Sequence, residues 1–377
     1  MEVAADGDLT IAFLGDPASS HTRRWMSFFA DRGHRVHLLV AEGQNVPLGF
    51  DARIAVHRFH GVRRQPLPLV GTLQARGSLV RLVRRLRPDV LHAHYVTRYA
   101  WWAWLSAFHP YVVTAWGSDL LLTLPRSRRE RIWARLALGA ADAVTAPSRH
   151  LLGAAIQAGA KSDRVHLIQF GVDADRFAPG DSSALRARLG LHGRRIVFSP
   201  RRIVPLYRHE SVVEALPMLP DDVVAIMGER NADNAYLRDL RELAMRMGVN
   251  DRLLTVPEIA DVEMPEFYRI ADVVTSVPGS DGLPVTVLEA MATGVPVVAT
   301  DLPGVREAMA GLHSDLLVPI GDSAATAAAI QRALSFTPSA REGLAHQLRA
   351  AVLKGADQRQ NMLSMEGIYR SLLTARR

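Results

Sequence analysis

The chain has 377 residues, 48% of them hydrophobic, which is more than one core usually organises, so two domains of ordinary size are expected. It contains no cysteine, which excludes disulfides, thiol nucleophiles and cysteine-based metal sites. The formal net charge is +7 and, with Lys161 and Lys354 the only lysines, a Schiff-base lysine is nearly excluded and any oxyanion clamp must be built from arginine.

No apolar run reaches the ~18 residues that span a bilayer. The opening MEVAADGDLT has no basic stretch followed by an apolar one, so a cytoplasmic location is expected. LTIAFLGD predicts a first strand, and the loop GDPASSHT after it offers small and hydroxyl-bearing residues from Gly15 to Thr22. His21 to Arg32 predicts a helix with Trp25, Phe28 and Phe29 on one face, and RVHLLVA a second strand. The basic segment from Arg63 to Arg87 ends in an amphipathic stretch with Leu79, Leu82, Val83 and Leu86 at helical spacing. Its apolar face is expected to pack on the sheet; the alternative is docking on anionic lipid, peripheral to the inner face of a membrane. Tyr99, Trp101, Trp102 and Trp104 are expected in the core, with stacking on a substrate as the alternative.

Short apolar runs continue through DVLHAHY, YVVTAWG and DAVTAPS, each separated by helical sequence. A stretch rich in Gly, Asp, Pro and Ser follows, HLIQFGVDADRFAPGDSS, and the alternation then restarts with RIVFSP, VVAIMG, LLTVPE, VVTSVP and PVVATD. Such alternation argues for parallel sheets covered on both faces, with a domain boundary near Pro179 to Ser183. Two doubly wound domains in series predict a cleft onto which the carboxyl ends of both sets of strands face. The basic residues are spread over both halves instead of forming a reading element, so nucleic acid is not an expected partner.

The most informative segment is GSDGLPVTVLEAMATGVPVVATDLPG, from Gly279 to Gly304. Pro284 as a first-turn proline and Gly294 as a left-handed cap predict a helix over Val285 to Thr293, followed by a buried strand. Free N–H groups at Leu283, Val285 and Thr286 would attract an anion, most simply a phosphate. Asp281 precedes the helix start and Glu289 lies more than a turn inside it, with seven residues between. At ~1.5 Å of rise per residue the two carboxylates are too far apart to share a proton, so they are expected to hold two ends of one extended ligand.

This pattern resembles the acid-x7-acid signature of the retaining, nucleotide-sugar-dependent glycosyltransferases of family 4, glycosyl transferases group 1. The resemblance implies an α/β protein of the GT-B fold, two doubly wound Rossmann-like domains facing each other across a cleft. The implied divisions are an acceptor-side domain over residues 1–180, a nucleotide-sugar-binding domain over 181–355, and a last helix over 356–377 that crosses back to the first. It also implies transfer of a sugar from a nucleotide-diphosphate sugar to a hydroxyl acceptor, a carbohydrate (glycan), a lipid-linked acceptor (glycolipid) or a small molecule, with no cofactor and no metal. A sugar-nucleotide 2-epimerase and a non-catalytic nucleotide-sugar-binding homologue remain the alternatives.

Residue by residue, the family places the donor sugar at the first acid, Asp281, where most members have Glu, and the ribose hydroxyls at Glu289. Gly282, Leu283, Pro284 and Val285 would hold the diphosphate, with Gly228, Pro257 and Ile259 completing the donor pocket and Gly15 and His21 approaching from the first domain. Arg201, Arg202 and Arg208 fall where members carry an Arg and then a Lys; the pair Arg202 and Arg208 is expected to clamp the phosphates, although direct register sets Tyr207 at the Lys position. Trp116 stands where many relatives have His, so a His base is not available there, and Asp119 is expected to orient the acceptor hydroxyl or accept its proton. His92 and His94 alternate on one strand face without a third ligand of suitable spacing. Asp173 to Asp175, DAD, superficially matches a metal-diphosphate motif, but in an interdomain turn it is expected to act as a cap.

Overall fold

The computed structural model describes residues 7–60 and 69–375, so the first part of MEVAADGDLT and Arg63 to Pro68 of the basic segment lie outside the described residues. The chain forms two compact units, one of residues up to Ile168 together with those from Gln360 onward, the other from Gln169 to Arg359. The division falls ahead of the expected 180/181 boundary because the connecting stretch is already part of the second unit. Val172 N–H donates to the Ala356 carbonyl at 2.8 Å, and Phe177 packs edge-on against Tyr268 at 5.6 Å between ring centroids.

The first unit is a parallel sheet of β1 (Thr10–Leu14), β2 (Arg35–Ala41), β3 (Ala55–Phe59), β4 (Val90–His94), β5 (Tyr111–Thr114), β6 (Ala143–Ala146) and β7 (Val165–Leu167), in the order β3-β2-β1-β4-β5-β6-β7. β1, β4, β5 and β6 are buried throughout, which is why they read as unbroken apolar runs. β3 was not expected: it is the edge strand, half exposed, and its His57 and Arg58 break the apolar pattern. The helix Ser20–Asp31 starts at Ser19, whose hydroxyl accepts from Thr22 N–H, and buries Trp25 and Phe29. In the helix Leu69–Leu86, Leu79, Leu82 and Val83 are buried in the core under the sheet, so the apolar face weighed for lipid docking is already covered. Among the described residues no helix is long and apolar enough to cross a membrane.

The helix Gln358–Thr374 leaves the second unit and packs its last turns on the first. Buried Tyr369 shares a 2.5 Å hydrogen bond with His92 Nδ1, and His92 Nε2 continues to Thr114 at 2.7 Å. Glu366, also buried, accepts from Arg32 Nε at 2.6 Å and Arg370 Nη2 at 2.8 Å, with His34 Nε2 at 3.4 Å. Burial works against the Glu366 charge, but the hydrogen bonds from Arg32 and Arg370 outweigh it and hold the carboxyl at about 2, below its ordinary 4.5. Because the folded value is the lower one, this stabilisation is complete above pH 4.5 and disappears as pH falls towards 2. From that shift it amounts to on the order of 3 kcal/mol. Glu366→Gln is therefore expected to remove much of the acid limb of the stability profile between those pH values, measured by urea unfolding at a series of pH values; an unchanged profile would contradict the assignment.

The second unit carries β8 (Arg195–Ser199), β9 (Val223–Gly228), β10 (Leu253–Val256), β11 (Val273–Ser276), β12 (Val297–Thr300) and β13 (Leu317–Val318), all parallel, in the order β10-β9-β8-β11-β12-β13. β13 is too short to leave a signal in the sequence. Both sheets reverse strand order once, between β1 and β4 and between β8 and β11, and a crevice opens beyond the carboxyl ends of strands at such a point.

Candidate functional site

In the second unit the loops after β8 and β11 meet at the reversal point. The loop after β11 runs into the helix Val285–Thr293, with Pro284 as its N-cap and Gly294 closing it at φ 78°. Pro284 sits one place earlier than a first-turn proline, and no side chain caps the helix start. The amide end is thus left to a ligand. Gly282 is buried because Gly304, at the start of the helix Pro303–Ala308, lies against its carbonyl; a Cβ at Gly304 would collide with that oxygen. Gly282 N–H in turn donates to Asp281 Oδ1 at 2.7 Å.

The two acids have separate partners. Asp281 Oδ2 accepts from Arg201 Nη2 at 2.6 Å, and both side chains are mostly buried. Arg201 also stacks its guanidinium on the Tyr207 ring, 3.9 Å from the centroid. Burial opposes the Arg201 charge, and Asp281 with Tyr207 outweighs it, so the group is held above its ordinary value. Glu289, 6% exposed, accepts from the Tyr268 hydroxyl at 2.8 Å, and the same hydroxyl contacts the Thr286 carbonyl at 3.3 Å.

Arg208 is the second guanidinium here. It occupies the left-handed region at φ 48°, an unusual place for a side chain that large, and its aliphatic stem passes Gly279. A Cβ at Gly321 would strike its guanidinium. Its Nε is buried without a hydrogen bond, while Glu210 lies 3.7 Å from Nη2. A buried donor with no acceptor is costly, and an oxyanion would satisfy it. The arrangement departs from the expected pair: Arg202 is exposed and lends only its carbonyl, to His209 Nε2 at 3.1 Å, whereas Arg201 faces Asp281. His209, buried between that carbonyl and Ser199 at 3.1 Å, fixes the loop; burial lowers it to about 4, so it stays neutral. Gly228 ends β9 against buried Ile259, and Pro257 is exposed at the end of β10.

The first unit has its own cavity of about 530 Å³ at the β1/β4 reversal, lined by Asp16, Ser19 and Thr22 after β1, His94 and Tyr95 after β4, and Trp116 after β5, among others. Gly15 admits the helix start, since a Cβ there would sit 2.9 Å from Thr22 Cγ2. His21 packs edge-on against Trp116 at 5.4 Å. Of the aromatic group, Tyr99 and Trp102 line the cavity, while Trp101 and Trp104 stack on each other at 4.9 Å and Trp101 on Trp133 at 4.7 Å.

Asp119 does not present its carboxylate to the cavity. It is fully buried and accepts from the N–H groups of Val96, Trp116, Gly117 and Leu120 at 2.8 to 3.1 Å. Burial raises its pKa against the pull of those donors. The geometry makes it a clamp on the loops after β4 and β5, with no oxygen left to take a proton from an acceptor. His92 is occupied by Tyr369 and Thr114, and among the described residues no group of three or more His, Asp or Glu could hold a metal. Asp173 caps its turn, accepting from Arg176 N–H at 3.0 Å.

Tyr268, His209, Gly321 and Glu130, another residue of the cavity wall, carry no local pattern that marks them. Gly304 is the exception: a glycine directly after proline at a helix start signals a close backbone approach.

Comparison with known proteins bears on this arrangement. The architecture is the GT-B fold: the Anabaena protein HepE in complex with UDP superposes with a TM-score of 0.81 at 23% identity, over 96% of this chain and all of that one. Sucrose-phosphate synthase of Thermosynechococcus elongatus superposes at 0.83 with 21% identity, over 97% of this chain and 100% of that chain. Residues 10–148 match the family described as glycosyl transferase 4-like and residues 181–349 that of glycosyl transferases group 1, and the chain belongs to this group of glycosyltransferases. Among curated relatives, a D-inositol 3-phosphate glycosyltransferase of Xylanimonas cellulosilytica is 30% identical over 58% of this chain and 57% of its own length. One of the same name from Acidothermus cellulolyticus is 29% identical over 77% of this chain and 68% of its own. With the first two such relatives the match spans only 57% and 36% of their length.

Proposed function

We propose that this protein transfers a sugar from a nucleoside-diphosphate sugar to a hydroxyl acceptor, with retention at the anomeric carbon. The observation that carries the reading is the uncapped start of the helix Val285–Thr293, where Arg201 Nη1 donates to Thr286 Oγ1 at 3.4 Å, together with Arg208 Nε, buried and without an acceptor on a side chain that passes Gly279 of the loop leading into that helix. Each group stabilises negative charge, and in this reading a departing diphosphate develops its charge between them. Asp281, oriented by Arg201, takes the donor sugar, and Glu289, oriented by Tyr268, takes the ribose. That a similar fold holds UDP in the Anabaena protein supports a nucleoside diphosphate as the ligand class.

In this reading the bond from the sugar C1 to the phosphate oxygen breaks as the acceptor oxygen bonds to the same face of C1. The acceptor proton passes to the leaving phosphate. No protein nucleophile is required, and the arginines with the helix start supply the charge stabilisation without a resident metal. We place the enzyme in the cytoplasm, with carbohydrate or lipid-linked acceptors.

Thermal unfolding with a panel of sugar nucleotides tests this. One donor at 100 times its Kd is expected to add ~2.7 kcal/mol of stability. Product analysis by NMR then separates the readings: a glycoside with the donor's anomeric configuration supports transfer, an epimerised donor formed without acceptor supports the epimerase, and binding with no product a non-catalytic homologue. Absence of any stabilisation would sink all three.

A further inference from the structure

Arg208 has an acid beside it that does not close on it. Glu210, at the start of the helix Glu210–Ala215, brings Oε1 to 3.7 Å from Arg208 Nη2, an ion pair longer than a hydrogen bond. The two side chains are 38% and 30% exposed, so the core does not keep them apart. On its other sides Arg208 passes Gly279 and lies against Gly321, which offer it no side chain.

The second oxygen of Glu210 is occupied. Oε2 accepts from the Tyr236 hydroxyl in a short hydrogen bond, and that hydroxyl oxygen accepts in turn from Glu210 N–H at 3.4 Å. Tyr236 stands in the first turn of the helix Asn234–Arg246, where the N-cap Asp233 accepts from Tyr236 N–H at 3.2 Å. Asp233 N–H donates to the Ile203 carbonyl at 2.8 Å, which ties this helix start to the loop that carries Arg208. The Tyr236 ring packs against the apolar core on that side of the sheet. Burial, and then Glu210, hold the phenol above its ordinary value, so it remains a donor to the carboxylate.

A carboxylate free to turn this close to a guanidinium would close to hydrogen-bond distance, and a two-pronged pair with arginine is the strongest form of that contact. Glu210 would then compete with any oxyanion for Arg208. Tied to a phenol that is itself anchored in the core, it has part of its hydrogen-bonding demand met elsewhere. We propose that Tyr236 is a positioning residue for the transfer reaction: by holding Glu210 off Arg208 it keeps that guanidinium open to the diphosphate. This rests on the reading of Arg208 as a diphosphate clamp.

Isothermal titration of the whole protein with UDP and with inorganic pyrophosphate, a probe without base or sugar, tests the proposal. Tyr236→Phe removes one oxygen and leaves the ring in the core; it is expected to weaken both probes about fivefold, the worth of one partly exposed ion pair. Glu210→Gln is expected to bind at least as tightly as wild type. The double variant Tyr236→Phe with Glu210→Gln is expected to bind as Glu210→Gln does, and in an Arg208→Ala background Tyr236→Phe is expected to have no further effect. Recovery in the double variant is what a merely structural tyrosine would not produce, because taking away the carboxylate as well cannot repair a loosened loop. Unaltered affinity in Tyr236→Phe, a double variant as weak as Tyr236→Phe alone, or weaker binding in Glu210→Gln than in wild type would each overturn the proposal while leaving the donor site in place. Failure of wild type to bind either probe would instead remove the donor site, and this role of Tyr236 with it.

Discussion

Glu289→Ala is expected to lower kcat/KM for sugar transfer by roughly 10²–10⁴-fold, because the proposed role of its carboxylate is to make up to two charge-assisted hydrogen bonds to the ribose, each worth about 1.5–3 kcal/mol. The carboxylate stands on the buried helix Val285–Thr293 and one oxygen is fixed by Tyr268, itself wedged edge-on between Phe177 and Phe198 at 5.6 and 5.3 Å. That rigidity is why the effect should be large: the group is held in place before the ligand arrives. The fold should survive, since the Tyr268 hydroxyl keeps the Thr286 carbonyl as acceptor when Glu289 is truncated. Steady-state kinetics, nucleotide titration and a thermal melt together check this. Near-normal kcat/KM in a folded variant would remove Glu289 from the donor site.

Substituting Arg208 should act on the transition state more than on substrate binding. Arg208→Ala is expected to reduce kcat by about 10²–10³-fold, the usual loss when one preorganised donor to developing charge is removed. Arg208→Lys should restore only part of it, as a point charge without the guanidinium fork. A third substitution separates chemistry from folding. The native φ of 48° costs a non-glycine residue about 1–2 kcal/mol, so Arg208→Gly should be as inactive as the alanine variant while melting no lower than wild type. Activity retained in Arg208→Ala would mean that the Nε without a partner has no oxyanion to hold, and the proposed clamp would fall with it.

Much of this protein can be read along the chain because the signals are local. Pro284 and Gly294 punctuate the helix Val285–Thr293 within its own sequence, and the structure ends that helix at the same residues. The buried parallel strands β1, β4, β5, β6, β8, β9, β11 and β12 announce themselves as apolar runs, since both faces of each are covered. Two edge strands escape that logic. β3 has one side to solvent and mixed residues, and β13 is two residues long.

What tertiary structure decided is which of several chemically equal side chains turns towards the site. Arg201 and Arg202 are neighbours of identical type, and their separation into a buried partner of Asp281 and an exposed residue depends on how the loop after β8 meets the loop after β11. Asp119, expected from its place after a strand to orient an acceptor hydroxyl or accept its proton, is held instead by four main-chain donors from two loops. Glu130, His94, Tyr99 and Trp102 belong to separate stretches, and only the parallel stacking of β1, β4 and β5 brings them to one wall. Sequence by itself therefore determined the buried strands and the helix Val285–Thr293, whose stabilising contacts lie within a turn or two. The partners of each charge were set by packing between elements distant in the chain, where burial leaves a side chain no choice but the acceptor that happens to face it.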